Sequence, residues 1–318
     1  MRKKPHILIV LGPTASGKTA ASILLAKKLN AEIISADSIQ VYRGLDIGSA
    51  KPTMEERQGI AHHLLDMIDV DDKGFSVAEY KRQAELAIAD IRSRGKIPLI
   101  VGGTGLYVNA LTYPLQFTNV PGDPLVRERL KQEEQEHPGS LYERLRQQDT
   151  VSADRLHPND QKRIVRALEV LEVSGQPISA FGTDFENKAE QDIPYQVTQI
   201  GLTLERALLY QRIEQRVDAM MQAGLLEETK KVNEAGYAHT LPALQGLGYK
   251  QLLRHLRGET TLTEAVEDIK RETRHFAKRQ ITWFKRDQRI HWLEAHGDLD
   301  ALTDVMAAIY RKDEGEAL

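Results

Sequence analysis

The chain has 318 residues, 41% of them hydrophobic, enough to bury a core in one large domain or in a core with a smaller companion. It contains no cysteine, which excludes disulfide frameworks and thiolate zinc sites and fits a reducing compartment. Its formal net charge of −3 offers nucleic acid no global attraction, so such a partner needs a local basic surface, and no run nears the roughly 18 apolar residues of a membrane helix.

The first hundred residues alternate strand and helix signals, as a parallel sheet covered by helices does. MRKKPHILIVLG sets basic residues before a short apolar run; with no small-residue cleavage site and a glycine loop directly after, it reads as a first strand rather than a signal peptide. KTAASILLAKKLN reads as a helix, and AEIISA and HHLLDMI as strands. FSVAEYKRQAELAIADIRSRG reads as a helix with Ser76 and Glu79 as a capping box, Phe75 as a staple and Gly95 as its end. KIPLIVGG returns as a strand, and TGLYVNALTY starts another helix. The fold class expected is α/β: a parallel sheet with a phosphate-binding loop, covered by helices, and an all-helical insertion domain.

The alternation breaks at PLQFTNVPGDP. DPLVRERLKQEEQEH, GSLYERLRQQD and PNDQKRIVRALEVLEVSG then read as amphipathic helices with no strand among them. Residues 117–195 are therefore expected to be the insertion, closed by the polar loop SGQPISAFGTDFENKAEQDIP, and residues 1–116 and 196–318 the core. YQVTQIGLTL resumes the sheet, helices follow at 205–222, 225–235 and 263–286, and Trp292 reads as a core residue of a late strand.

Residues 12–19 read GPTASGKT, between a strand and a helix. Amides of such a turn and the positive end of the next helix surround a polyphosphate, lysine adds a point charge, and threonine reaches a magnesium ion. Gly12, Pro13, Thr14, Ala15, Ser16, Gly17, Lys18 and Thr19 supply that loop, with Thr19 the metal-facing hydroxyl. A nucleotide hydrolase or kinase usually adds an acidic residue at the end of a later apolar strand. Here IPLIVGG ends in glycines, and the acidic candidate is Asp37, just after EIISA at the carboxyl edge of the sheet. The pattern holds phosphates without the usual hydrolase machinery.

Together GPTASGKT, DSIQVYRGLDIGSAKP, VGGTGLYVNAL, NDQKRIVRALEV and AKRQITWFKRD resemble the tRNA dimethylallyltransferases, in order and spacing from about residue 7 to 287. Ser49 stands where threonine is usual and Lys162 where arginine is common, each keeping the hydroxyl or the charge. The resemblance implies that the loop holds the diphosphate of dimethylallyl diphosphate. It further implies transfer of the five-carbon group to the exocyclic amine of the adenosine 3′ of the anticodon, with magnesium (Mg2+) present. Such an amine is a poor nucleophile and needs a base, for which Asp37 is the candidate; a turn aspartate is the alternative. Thr104 and Arg212 resemble the residues that stabilise the leaving diphosphate, and Arg216 lies one helical turn on. For either arginine a solvated ion pair stays open.

Ser38, Ile39 and Gln40 match the segment that contacts the target nucleotide, Gln40 with an amide able to pair with an adenine edge; an ordinary strand-to-loop connection is the alternative. Gln161, Lys162, Arg163, Ile164, Val165 and Arg166 match a second tRNA-contacting segment. The run from 270 to 289 interleaves cations, Lys278 and Arg279 among them, with Phe276, Trp283 and Phe284. It suits RNA loop recognition, although a solvated helix with core aromatics reads equally well. A small-molecule kinase, a catalytically inert RNA-binding module and a prenyltransferase of free adenine nucleotides are the competing functions; a cytoplasmic monomer is expected.

Overall fold

In the computed structural model the described residues are 4–72, 75–115, 117, 120–181 and 193–315. Most of the polar loop expected to close the insertion, and part of PLQFTNVPGDP, lie outside them. The chain forms two compact units, 1–112 with 193–318, and 113–192.

The first unit holds a six-stranded parallel sheet: β1 (His6–Leu11), β2 (Ala31–Ala36), β3 (His62–His63), β4 (Ile97–Gly102), β5 (Gln196–Thr203) and β6 (Ile290–Glu294), ordered β3-β2-β4-β1-β5-β6. Every residue of β1 is buried, as expected of a central strand with helices on both faces. Alternation divides it: Leu8 and Val10 pack with α1 (Lys18–Leu29) and α12 (Leu299–Glu314), while Ile7, Ile9 and Leu11 pack with α2 (Val77–Ser93) and α3 (Gly105–Thr112).

The strand expected over HHLLDMI shrinks to its two histidines, because Leu64 and Asp66 take left-handed backbone angles of φ 63° and 55°. Only half of the expected capping box forms: Ser76 Oγ accepts from the Glu79 amide, while the Glu79 carboxylate pairs with Arg82 instead. The expected helices appear as α8 (Arg206–Gln222), α9 (Leu225–Glu234) and α11 (Leu262–Phe284). Two more, α10 (Tyr249–Leu256) and α12, went unread in the sequence. A core of Val41, Leu45, Val217, Leu225, Tyr249 and Ile269 joins α8–α11 to the segment after β2.

The second unit contains α4 (Pro124–Glu136), α5 (Ser140–Gln148), α6 (Thr150–Ala153) and α7 (Gln161–Ser174), with no strand among its described residues. Leu130, Leu141, Leu145, Ile164 and Leu168 form its own core.

Candidate functional site

The phosphate loop leaves β1 at Gly12, where a Cβ would stand 2.4 Å from the Leu202 carbonyl oxygen, so only glycine lets the chain turn off the sheet there. Gly17, at φ 88°, opens α1. Ser16 Oγ is buried without a protein partner, and the amides of Gly17, Lys18, Thr19 and Ala20 donate to no protein acceptor among the described residues. Such a set of inward donors at a helix N-terminus is what a polyanion requires. Lys18 Nζ donates to the Pro13 carbonyl at 2.6 Å. Burial, reinforced by Arg216, pushes the Lys18 ammonium down to about 7, with Asp37 opposing.

Arg212 and Arg216, one turn apart on α8, close a cavity of about 300 Å³ whose remaining lining is Ala15–Ala20. Among the described residues neither arginine forms an ion pair; the nearby Glu214 pairs with Arg274. Arg216 lines a second cavity as well, and burial lowers its pKa against the pull of Asp37 and Glu56. The solvated ion pair left open for these side chains is thus not what α8 builds.

Asp37 stands directly after β2, at the carboxyl edge of the sheet. Its Oδ1 accepts from the amides of Ile39 (2.8 Å) and Gln40 (3.3 Å), so the turn role is realised, and it fixes the carboxylate while leaving Oδ2 without a partner among the described residues. Thr104 follows β4 on the neighbouring strand: its amide donates to the Ala36 carbonyl, and its hydroxyl accepts from the Ser38 amide at 3.1 Å. The glycines before it are needed, since a Cβ on Gly102 would meet the Ala36 oxygen at 2.1 Å.

A cavity of about 650 Å³ gathers Thr14, Lys18, Thr19, Asp37, Ser38, Ile39, Gln40, Thr104, Arg216 and Arg279. Its lining also includes the apolar side chains of Ile213, Val217, Met220, Ile269 and Phe276, alongside Arg254, Asp268, Arg271 and Glu272. One space therefore brings cations, the Asp37 carboxylate and hydrocarbon surface together. Gln40 has its amide engaged inside the protein: Oε1 accepts from Ser35 Oγ, and Nε2 donates to the carbonyls of Ser49 and Ala50. It pins the 49–50 segment in place. Ser49 Oγ donates back to the Leu45 carbonyl, so the hydroxyl, not a methyl, does the local work.

Two contributors were invisible in the sequence. Glu228 on α9 accepts from the amides of Asp46, Ile47 and Gly48 and from the Tyr249 hydroxyl, holding the loop after β2. Gln280 on α11 joins the phosphate loop to Gly103. No local pattern marks such residues, because their partners lie far along the chain.

On α11, Lys270, Arg271 and Arg274 pair with acids, whereas Lys278 and Arg279, with Lys285 and Arg286 just beyond its end, form no ion pair among the described residues. Arg279 lies over the Phe276 ring, 5.9 Å from its centroid, while Trp283 and Phe284 pack into the core. In α7, Gln161, Lys162 and Arg163 are exposed, Arg163 paired with Asp160. Ile164 and Val165 are buried in the second unit's core and present no surface to a ligand. Arg166 is tied to the buried Glu169 and the Val120 carbonyl.

No cluster of three or more metal-binding side chains occurs among the described residues. The Thr19 hydroxyl, lining the cavity with the phosphate loop, is a hard oxygen donor of the kind that holds a divalent cation together with phosphate oxygens. No helix of the described residues is long and apolar enough to cross a membrane.

The family model described as IPP transferase matches residues 40–287. The tRNA dimethylallyltransferase of Symbiobacterium thermophilum is 50% identical over 92% of this chain and 91% of its own length. That of Geobacter metallireducens is 47% identical over 97% and 98%. Among solved structures, the tRNA isopentenylpyrophosphate transferase of Bacillus halodurans superposes with a TM-score of 0.72 at 37% identity, covering 98% of this chain and 99% of that one. A eukaryotic dimethylallyltransferase captured acting on tRNA superposes at 0.79 with 28% identity, over 99% of this chain and 81% of its own.

Proposed function

The chain belongs to the tRNA dimethylallyltransferase family, and from that premise we propose how this tRNA prenyltransferase works. It moves a dimethylallyl group from dimethylallyl diphosphate to the N6 amine of the adenosine immediately 3′ of the anticodon and releases diphosphate. The observation that carries this reading is the shared cavity, lined together by Thr14, Lys18 and Thr19 of the phosphate loop, Arg216, Asp37, Thr104 and several apolar side chains.

The loop amides, Lys18, Arg212 and Arg216 hold the diphosphate, whose charge grows as its bond to the prenyl carbon breaks. Asp37, oriented by the Ile39 and Gln40 amides, accepts through Oδ2 the N6 proton lost as the carbon–nitrogen bond forms. Thr104 fixes the Ser38 backbone and with it the edge of the adenine pocket. The target base has to leave its stack to arrive there, at a cost of a few kcal/mol drawn from tRNA binding. Magnesium, held by Thr19, would neutralise part of the leaving group's charge. Lys278 and Arg279 in the core, and Gln161, Lys162 and Arg163 in the helical unit, are the exposed groups offered to the anticodon stem-loop. The enzyme is expected to act as a monomer in the cytoplasm, where its tRNA is.

Incubation with magnesium, unmodified tRNA and radiolabelled dimethylallyl diphosphate, beside an ATP control, tests the proposal. Label at the adenosine next to the anticodon is the expected result. No label, with ATP consumed in the presence of a small acceptor, would make the protein a kinase.

A further inference from the structure

The side chain of Gln280, buried on α11, ends between two loops that come from distant parts of the chain. Its Oε1 accepts from the Thr14 amide at 2.9 Å, inside the phosphate loop. Its Nε2 donates to the Gly103 carbonyl at 3.0 Å, one residue before Thr104. A carboxamide carries an acceptor and a donor on separate atoms at its tip, so it can satisfy an N–H and a carbonyl together.

The glycine loop is shaped to this helix at two points. A Cβ on Gly103 would stand 2.2 Å from Gln280 Nε2, and one on Gly105 would stand 2.3 Å from Trp283 Cδ1. Gln280 and Trp283 are three residues apart, on one face of α11. From Gly103 the connection continues through Thr104 to the Ser38 amide, and Ser38 adjoins Asp37.

Resting on the prenyl-transfer reading, we propose that Gln280 is a positioning residue that sets the distance between donor and acceptor. It fixes the phosphate loop, which holds the leaving diphosphate, relative to the Asp37 and Thr104 edge, which receives the adenine amine. It lines the cavity, but its amide oxygen and nitrogen are engaged by Thr14 and Gly103, and it acts through them. A misplacement of about 1 Å between reacting groups costs on the order of a hundredfold in rate, so a clamp across this gap governs turnover more than affinity.

Gln280→Met keeps length and bulk and removes both hydrogen bonds; Gln280→Glu keeps the shape and the acceptor for Thr14 but loses the donor to Gly103. The measurements are kcat, KM for dimethylallyl diphosphate, Kd for tRNA and for inorganic diphosphate, and Tm. In both variants kcat should fall about 10- to 100-fold, with tRNA affinity within about twofold of the parent by the same separation of roles. Wild-type kcat in either folded variant would overturn the inference, as would weakened tRNA binding at unchanged kcat, which would make Gln280 an RNA contact. If the parent protein transfers no prenyl group, the prenyl-transfer reading fails on its own. A Tm of Gln280→Met equal to the parent's would then overturn the clamp separately, because the Thr14 amide and the Gly103 carbonyl would have lost their partner at no cost.

Discussion

Diphosphate binding should weaken steeply as pH rises above neutrality, because Lys18 loses its charge there. Part of its side chain reaches water, but the ammonium is held in the loop against the Pro13 carbonyl, and burial brings it down to about 7 from 10.5. At pH 7 about half the molecules carry the charge, and at pH 9 about one in a hundred. A polyanion on the loop favours the charged form, so binding takes up a proton, and affinity should fall roughly 50-fold between those values, about 2 kcal/mol. Titration calorimetry with inorganic diphosphate from pH 6 to 9, on the parent and on Lys18→Met, isolates the effect, since the ratio of the two cancels the ligand's own ionisation. A ratio constant across that range would refute the argument and leave Lys18 fully charged. The sign for folding is opposite to that of a lysine that gains an acidic partner. The unfolded chain holds more protons between about 7 and 10.5, so this group's contribution makes stability rise with pH through that window.

Asp37→Asn retains the Oδ1 acceptor for the Ile39 and Gln40 amides but removes the base. Single-turnover transfer should drop at least about a hundredfold while tRNA affinity and Tm hold; loss of tRNA binding would return Asp37 to a purely architectural role. Glu32, at the far end of β2, has a side chain only 4% exposed among Arg94, Lys96 and His63, and the Arg94 guanidinium holds its carboxyl well below the usual range. The stability it provides is present above the ordinary glutamate value and is lost as pH falls below it. Glu32→Gln should cost about 2 kcal/mol in urea unfolding, less than a fully buried pair because its cations reach water, and should flatten the acid side of the stability curve without changing kcat. An unchanged acid limb would refute that linkage. Binding of tRNA should weaken with salt, and Lys278→Ala with Arg279→Ala should reduce the log–log slope by about 0.7–0.9 per phosphate contact removed. An unaltered slope in the double variant would move the RNA surface elsewhere.

Chemistry was legible wherever the requirement is local. GPTASGKT can be read because a phosphate loop needs its glycines, lysine and hydroxyl within eight consecutive positions, and β1 because burial on both faces leaves an unbroken apolar run. The strand over HHLLDMI was overread for the converse reason: its apolar residues fit a strand, and the left-handed turns at Leu64 and Asp66 have no glycine to announce them. The tRNA segment at 161–166 mixes two roles that one motif cannot separate, since helical periodicity sends Ile164 and Val165 inward and leaves Gln161 and Lys162 outside.

What escaped the sequence is the framework that makes the local motifs act together. Glu228 bonds amides about 180 positions upstream, and Gln280 bonds Gly103 across 177 positions and Thr14 across 266. Each is a single polar residue on a helix, where its ordinary reading is a solvated face. The glycines are the only local trace of these contacts. GGTG reads as flexibility, yet Gly103 and Gly105 are there because Gln280 and Trp283 occupy the space a Cβ would need. A helix some 175 residues further on therefore dictates the spelling of the loop. It follows that exchanging these glycines should disturb the placement of α11 as much as the loop itself, and that the site is one unit of which the phosphate loop is only the legible part.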